Sequence, residues 1–500
     1  MRLLMVVLVA GLLAGPAYGQ AVQLAGERQG LVINLKGGLP GRWVTCVGPC
    51  AEPASPRQDL LRPGPGGNRL EWIIPGDADA TAALDALPYT HEVRQGEGFT
   101  TVIVSSLVPW DGIQLIHRYR LRSDGRVLEA SIQKPAGAML QLAGGDDLVP
   151  PALPGLGAMY GRASAVIVGA GGVERIDDAA ASGPAIVHTL QPGEWTGLRG
   201  RFWALLVSGS EPLSVTGQLP APDHPVVALG RATAAAGPVE LRLYAGPIER
   251  RALAAADPVL TDLLYAALWE PLRWLSFGLQ AILGFWQSLV GSWGLAIILL
   301  SASVKLLMWP LTFIAERWQD QVNRTQSLLA PELAAIRRDH RGEEAHRLTL
   351  AVYAKHGVNP WYTLKSLAGF LVQIPVFIAA FDMLGEQFGL AGARFLWIAD
   401  LSLPDRLLPF AAPAPFFGGY LNLLPFAMTA LTVLASRLQE DPGLAPELRQ
   451  GQRRRLYGLA AAFFVLLYTF PAGMVLYWTT NNALHLCVVL ARRLRAAPRP

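Results

Sequence analysis

Charged side chains are scarce in this chain: Asp, Glu, Lys and Arg make up 16% of its 500 residues, and the formal net charge is only +4. So small a basic excess excludes an electrostatic nucleic-acid binder, whose cations gather in one arm or on one face. Histidine (8) and cysteine (3) are also few. The sequence holds no HExxH, no GxSxG and no dense acidic or histidine cluster, and Gly155-Leu156-Gly157 lacks the spacing of a phosphate-cradling GxGxxG loop. These absences argue against a zinc hydrolase, a serine hydrolase or a nucleotide enzyme, and no cofactor or metal is expected. Cys46 and Cys50, in C-V-G-P-C, suit a disulfide if exported; a pair of free thiols is the alternative. Cys487 lies in an apolar run and reads as a packing residue.

What the chain has instead is apolar length. Hydrophobic residues reach 52% of the total, and they concentrate after about residue 260. Residues 1–20 carry one arginine, the apolar stretch Leu3 to Ala14 and a small-x-small pattern, Ala17-Tyr18-Gly19, and read as a signal peptide or an uncleaved anchor. Residues 21–255 alternate in short runs punctuated by glycine and proline, such as LVINL, RLEWII, TTVIVSSLV and RFWALLV; Ser123-Asp124-Gly125-Arg126 is a hairpin signal. An exported antiparallel β-sandwich is expected there. Residues 256–500 read as an α-helical membrane core, in which Thr261 to Val290, interrupted by Pro271, suits an interfacial helix. Five spans follow, near Gly294 to Ile314, Lys365 to Phe388, Gly419 to Ser436, Leu456 to Ala472 and Gly473 to Ala491. Residues 316–358 form a charged cytoplasmic helical hairpin turning at Gly342, too long for a mere connection. Arginine crowds 315–364, 437–455 and 492–500, whereas the loop from Gly389 to Gly418 holds only Arg394 and Arg406, so the former segments are expected in the cytoplasm.

The most unusual residue is Lys305, near the centre of the first span. At about 1.5 Å of rise per residue it lies roughly 18 Å from Trp293 and roughly 15 Å from Ala315, too deep to reach water easily by stretching. A charge at that depth marks a hydrated cavity or a protein interior. Ser301, Lys305 and Thr312 fall close to one helical face, so one side of the span is polar.

In chain order, G-S-W-G at Gly291 to Gly294, K-L-L-M-W-P-L-T at Lys305 to Thr312, V-N-P at Val358 to Pro360, Q-I-P-V-F at Gln373 to Phe377, L-W-I-A-D-L at Leu396 to Leu401 and F-P-A-G-M-V-L-Y-W at Phe470 to Trp478 resemble the YidC/Oxa family of membrane protein insertases. The likeness covers Asp257 to Arg493 closely. The exported half is similar, more weakly, to the β-supersandwich of Gram-negative members, through LVINLKGG, RFWALLV and YAGP. The resemblance implies a non-enzymatic insertase and chaperone of the bacterial inner membrane, acting on nascent integral membrane proteins alone or with the Sec translocon. It implies five spans around a hydrophilic groove open to cytoplasm and lipid. Lys305 takes the place of the family's groove arginine, Ser301 and Trp478 match groove positions, and Gln373, Thr312 and Asn481 are expected to add polarity. An ammonium, unlike a guanidinium, relies on groove hydration to keep its charge. The tail after Ala491 is short, so any ribosome contact falls to the hairpin and the loop from Arg437 to Arg455. Two other classes compete: a transporter or channel, for which no paired broken helices are visible, and a membrane-anchored carbohydrate-binding or sugar-modifying sandwich, for which convergent acids and histidines are missing.

Overall fold

The computed structural model describes residues 21–52, 55–149, 153–177, 186–221, 223–231, 236–359, 368–438 and 446–496. The expected signal peptide lies outside the described residues, as do the start of the second span at Lys365, Pro360 of the V-N-P motif and part of the loop after Arg437. The chain divides into two compact units: residues up to Ala266 form the first, except Leu153–Gly157, which group with the second from Ala267 onward.

The first unit is built from antiparallel sheets of four, five and nine strands among the described residues. Alternation dictates this. Strand Ile116–Arg122 buries His117, Tyr119 and Leu121 and exposes the residues between them, as a period of two requires when one face meets a core. The hairpin expected at Ser123–Arg126 joins this strand to Val127–Lys134, with Leu121 opposite Leu128. Large side chains fill the core, among them Trp43, Trp72, Tyr119 and Leu24. Their polar atoms are satisfied: Trp43 Nε1 donates to Gln29 Oε1 at 2.9 Å, Trp72 Nε1 to the Gly37 carbonyl at 3.0 Å and Tyr119 Oη to the Gly38 carbonyl at 2.8 Å. Gly38 explains the glycine pair of LVINLKGG: its φ is +72°, and a Cβ there would stand 2.7 Å from His117 and 2.9 Å from Tyr89. Cys46 and Cys50 are joined in a disulfide, both buried. Helices α1 (Ala78–Asp85) and α2 (Arg250–Ala256) and a 3₁₀ turn (Pro258–Leu263) complete the unit.

The second unit is helical: α3 (Glu270–Val290), α4 (Trp293–Asp339), α5 (Gly342–Lys355), α6 (Ala368–Glu386), α7 (Leu423–Leu438), α8 (Pro446–Leu467) and α9 (Ala472–Ala496). Helix α3 packs on α4 and α6, α4 on α9, α9 on α7, and α7 on α8. One expectation needs correction. Pro271 does not interrupt a helix from Thr261; it occupies the first turn of α3, where a missing N–H costs nothing, and Thr261 belongs to the 3₁₀ turn. The helix that holds the first expected span continues past Ile314: α4 runs 47 residues, through Pro310 and Pro331, into the first arm of the hairpin. Ala315-Glu316-Arg317 are good helix formers with no stop signal between the two stretches, so the helical hydrogen bonding continues. The hairpin turn is near Gly342, which has φ +64°, and Lys355 and His356 both reach Glu332 across the arms. By length and composition, Trp293–Asp339 and Ala472–Leu494 can cross a membrane, and Leu423–Leu438 is a shorter apolar helix.

Candidate functional site

Glycine and capping chemistry build one end of the helical unit. Gly291, with φ +68°, terminates α3, and Ser292 opens α4. A Cβ on Gly294 would lie 2.0 Å from the Phe395 ring, and one on Gly389 would lie 2.1 Å from Trp293, so two glycines admit two aromatic rings at close range. Asp405 then ties this loop to α7. Its Oδ2 accepts from Leu423 N at 2.6 Å, Leu424 N at 2.9 Å and Trp397 Nε1 at 3.2 Å, satisfying N–H groups that a helix start leaves without partners. Burial pushes the Asp405 carboxyl above the usual range, against the opposing pull of these donors. The start of α9 is held in the same way: Ala472 N and Gly473 N donate to the Leu403 and Leu401 carbonyls. Three of the sequence motifs thus meet as one packed cap.

Below this cap lies the polar seam between α4 and α9. Ser301, buried, donates to the Tyr477 carbonyl at 3.3 Å. One turn on, Lys305 Nζ donates to both the backbone carbonyl and Oδ1 of Asn481, each at 3.3 Å. The ammonium is half-buried and held by neutral acceptors, an arrangement that leaves its positive charge to act on an incoming anion. Asn482 turns the other way, its Nδ2 donating to Thr432 Oγ1 at 2.8 Å and the Met428 carbonyl at 3.3 Å on α7. Adjacent asparagines therefore clamp α9 to both neighbours, which satisfies their polar atoms where water is scarce.

The remaining expected residues are less closely joined. Trp478 stacks on Phe463 of α8 at 5.3 Å between centroids and meets Phe377 of α6 edge-on at 4.9 Å. Gln373 is half-buried on α6 and makes no side-chain hydrogen bond among the described residues. Thr312 is exposed, its hydroxyl donating to the Met308 carbonyl of its own helix. Ser301, Lys305 and Asn481 are brought together; Trp478 joins an aromatic cluster, and Gln373 and Thr312 make no contact with the ammonium. Sequence reasoning missed the ion pair between Glu316 and Arg492, at 2.8 Å, and the link from Trp286 Nε1 to Ser303 Oγ, at 2.9 Å, that anchors α3 to α4. Neither has a local signal, because each joins residues far apart in sequence. Among the described residues no three His, Cys, Asp or Glu side chains are placed to hold a metal.

A family model described as "60Kd inner membrane protein" matches residues 285–494. Among similar curated proteins, the membrane protein insertase YidC of Chlamydia trachomatis is 30% identical over 270 residues, covering 50% of this chain and 33% of that protein. That of Azotobacter vinelandii is 34% identical over 258 residues, covering 50% and 40%. The aligned part thus spans two fifths or less of these relatives' own length. A solved structure titled "Active YidC insertase crystal structure with the first transmembrane domain resolved" aligns over 98% of this chain and 96% of that one, at 16% identity and a TM-score of 0.36. The family-model match falls within the helical unit that holds the cap and the Lys305 seam, and over about half of its length the chain is similar to the YidC membrane protein insertases.

Proposed function

We propose that this chain inserts integral membrane proteins into the bacterial inner membrane, and that Lys305 supplies the charge that first attracts polar or acidic parts of the substrate. The observation that carries this is the half-buried ammonium, held among the described residues by the two oxygens of Asn481, in the middle of an apolar helix pair. A cation at such depth attracts a carboxylate far more strongly than it would in water. Five spans, with the β-rich unit in the periplasm and the hairpin in the cytoplasm, are the topology that goes with this reading. Arginine asymmetry supports it. The Asp405 cap would then close the outer end, while the hairpin and the loop after Arg437 face the ribosome or Sec translocon as partners.

The test uses matched substrates with acidic and neutral translocated tails, followed by pulse-labelling in an insertase-depleted strain. Lys305→Ala should slow the acidic-tailed substrate most. Equal insertion of both at parental rates, with the variant present at parental levels, would reduce Lys305 to a structural residue.

A further inference from the structure

Three polar links between α4 and α9 share one offset. Ser301 with Tyr477, Lys305 with Asn481 and Glu316 with Arg492 each join residues 176 apart. Helices that keep a constant offset run parallel and in register, so the seam is a ladder of facing positions. Glu316 follows Lys305 by eleven positions, and Arg492 follows Asn481 by the same number. Eleven residues make three turns with about 20° left over, so each pair shares a stripe, with about 16 Å of axial rise between its members. The seam therefore carries an ammonium on one rung and a carboxylate on a lower rung of the same face.

A carboxylate beside the approach to Lys305 opposes the attraction that the ammonium provides. Its partner removes that opposition: Arg492 Nη2 donates to Glu316 Oε2 at 2.8 Å. Among the described residues, no other side chain hydrogen-bonds to Glu316. The Thr312 hydroxyl is committed to Met308, and Arg317 lies over the Phe313 ring at 4.2 Å. His485 lies one turn past Asn481 on the same helix.

We propose that Glu316 and Arg492 set the charge preference of the groove, Arg492 neutralising Glu316 so that an acidic segment meets Lys305 as an unopposed cation. This rests on the insertase reading above and adds two residues that determine which segments the groove accepts. An ion pair in this position contributes little to stability. Its effect lies in the field a substrate experiences along the stripe that leads from Glu316 to Lys305.

The experiment compares the full-length parent with Arg492→Gln, Arg492→Lys, Glu316→Gln and the Arg492→Gln/Glu316→Gln double variant, at matched membrane levels and pH 8. The readout is the ratio of acidic-tailed to neutral-tailed substrate inserted. Arg492→Gln should lower that ratio about threefold, the size expected for one exposed charge at this distance in a medium between water and protein. Arg492→Lys should keep the parental ratio, Glu316→Gln should raise it, and the double variant should return it to the parental value. A basic-tailed substrate should respond to Arg492→Gln in the opposite direction. An unchanged ratio in Arg492→Gln, or a fall that Glu316→Gln does not reverse, would make the pair a helix tie only and overturn the proposal while leaving the insertase reading standing. A parent unable to insert any of the substrates would sink the insertase reading itself, and this one with it.

Discussion

His117 makes the β-rich unit sensitive to acid, and the size of the effect follows from its surroundings. The imidazole is fully buried between Tyr89 and Trp72. Gln133 N donates to its Nδ1 at 3.2 Å, so Nδ1 is an acceptor and carries no proton; Nε2 then bears the hydrogen and faces Tyr89 Oη at 3.1 Å. Protonating Nδ1 would break one of these bonds and bury a charge. Burial pushes the group down to about 3, with a smaller opposing contribution from the Ile116 backbone. In the unfolded chain an imidazole titrates near 6.5. The unfolded state therefore binds the extra proton between these values, and stability falls as pH drops from about 6.5 toward about 3. The slope approaches about 1.4 kcal/mol per pH unit, so a shift from neutral pH to about 4.5 should cost about 2 to 3 kcal/mol. Denaturant unfolding of the full-length protein in detergent, followed through the buried Trp43, Trp72 and Trp195, would measure this at pH 7.5, 5.5 and 4.5. His117→Gln, which cannot titrate, should be less stable at neutral pH and should lack the His117 share of the slope, so that its deficit narrows as pH falls. Equal slopes for parent and variant would refute the buried neutral imidazole.

Three other outcomes are expected. Asp405→Ala should destabilise the helical unit by about 2 kcal/mol or more, because it strips an acceptor from two N–H groups at the start of α7 and from the Trp397 indole; thermal unfolding in detergent would measure it. Lys305→Arg should retain insertion and hold it better than the parent as pH rises, since guanidinium keeps its proton; a loss comparable to that of Lys305→Ala would show that shape outweighs charge. A deletion of Ala21 to Arg250 that keeps the first 20 residues should still support an insertase-depleted strain, because the cap and the Lys305 seam both belong to the helical unit; a stably inserted but inactive deletion would place an essential activity in the β-rich unit.

Much of the architecture could be read locally. Strands with a period of two, the turn at Asp124-Gly125 and the apolar runs of α4 and α9 are properties of neighbouring residues, and the structure places those elements where they were expected. The one misreading has a local cause: proline reads as a breaker at Pro271, although the first turn of a helix accepts it. The continuity of α4 past Ile314, where composition turns from apolar to charged, follows because backbone hydrogen bonding does not depend on which face is wet.

The sequence by itself determined the two-part layout, the helical and strand periods, the deep lysine and the family motifs, because composition, spacing and residue type carry all of these. Tertiary structure decided what the polar groups do. Only packing of α4 against α9 at a constant offset of 176 could set Asn481 rather than Gln373 against Lys305 and place Arg492 on Glu316, and only the fold of the loop before α7 brings Asp405 onto the first turn of that helix. Such contacts depend on the register between elements far apart in the chain, which no local pattern encodes and which emerges only when side chains interlock at short range.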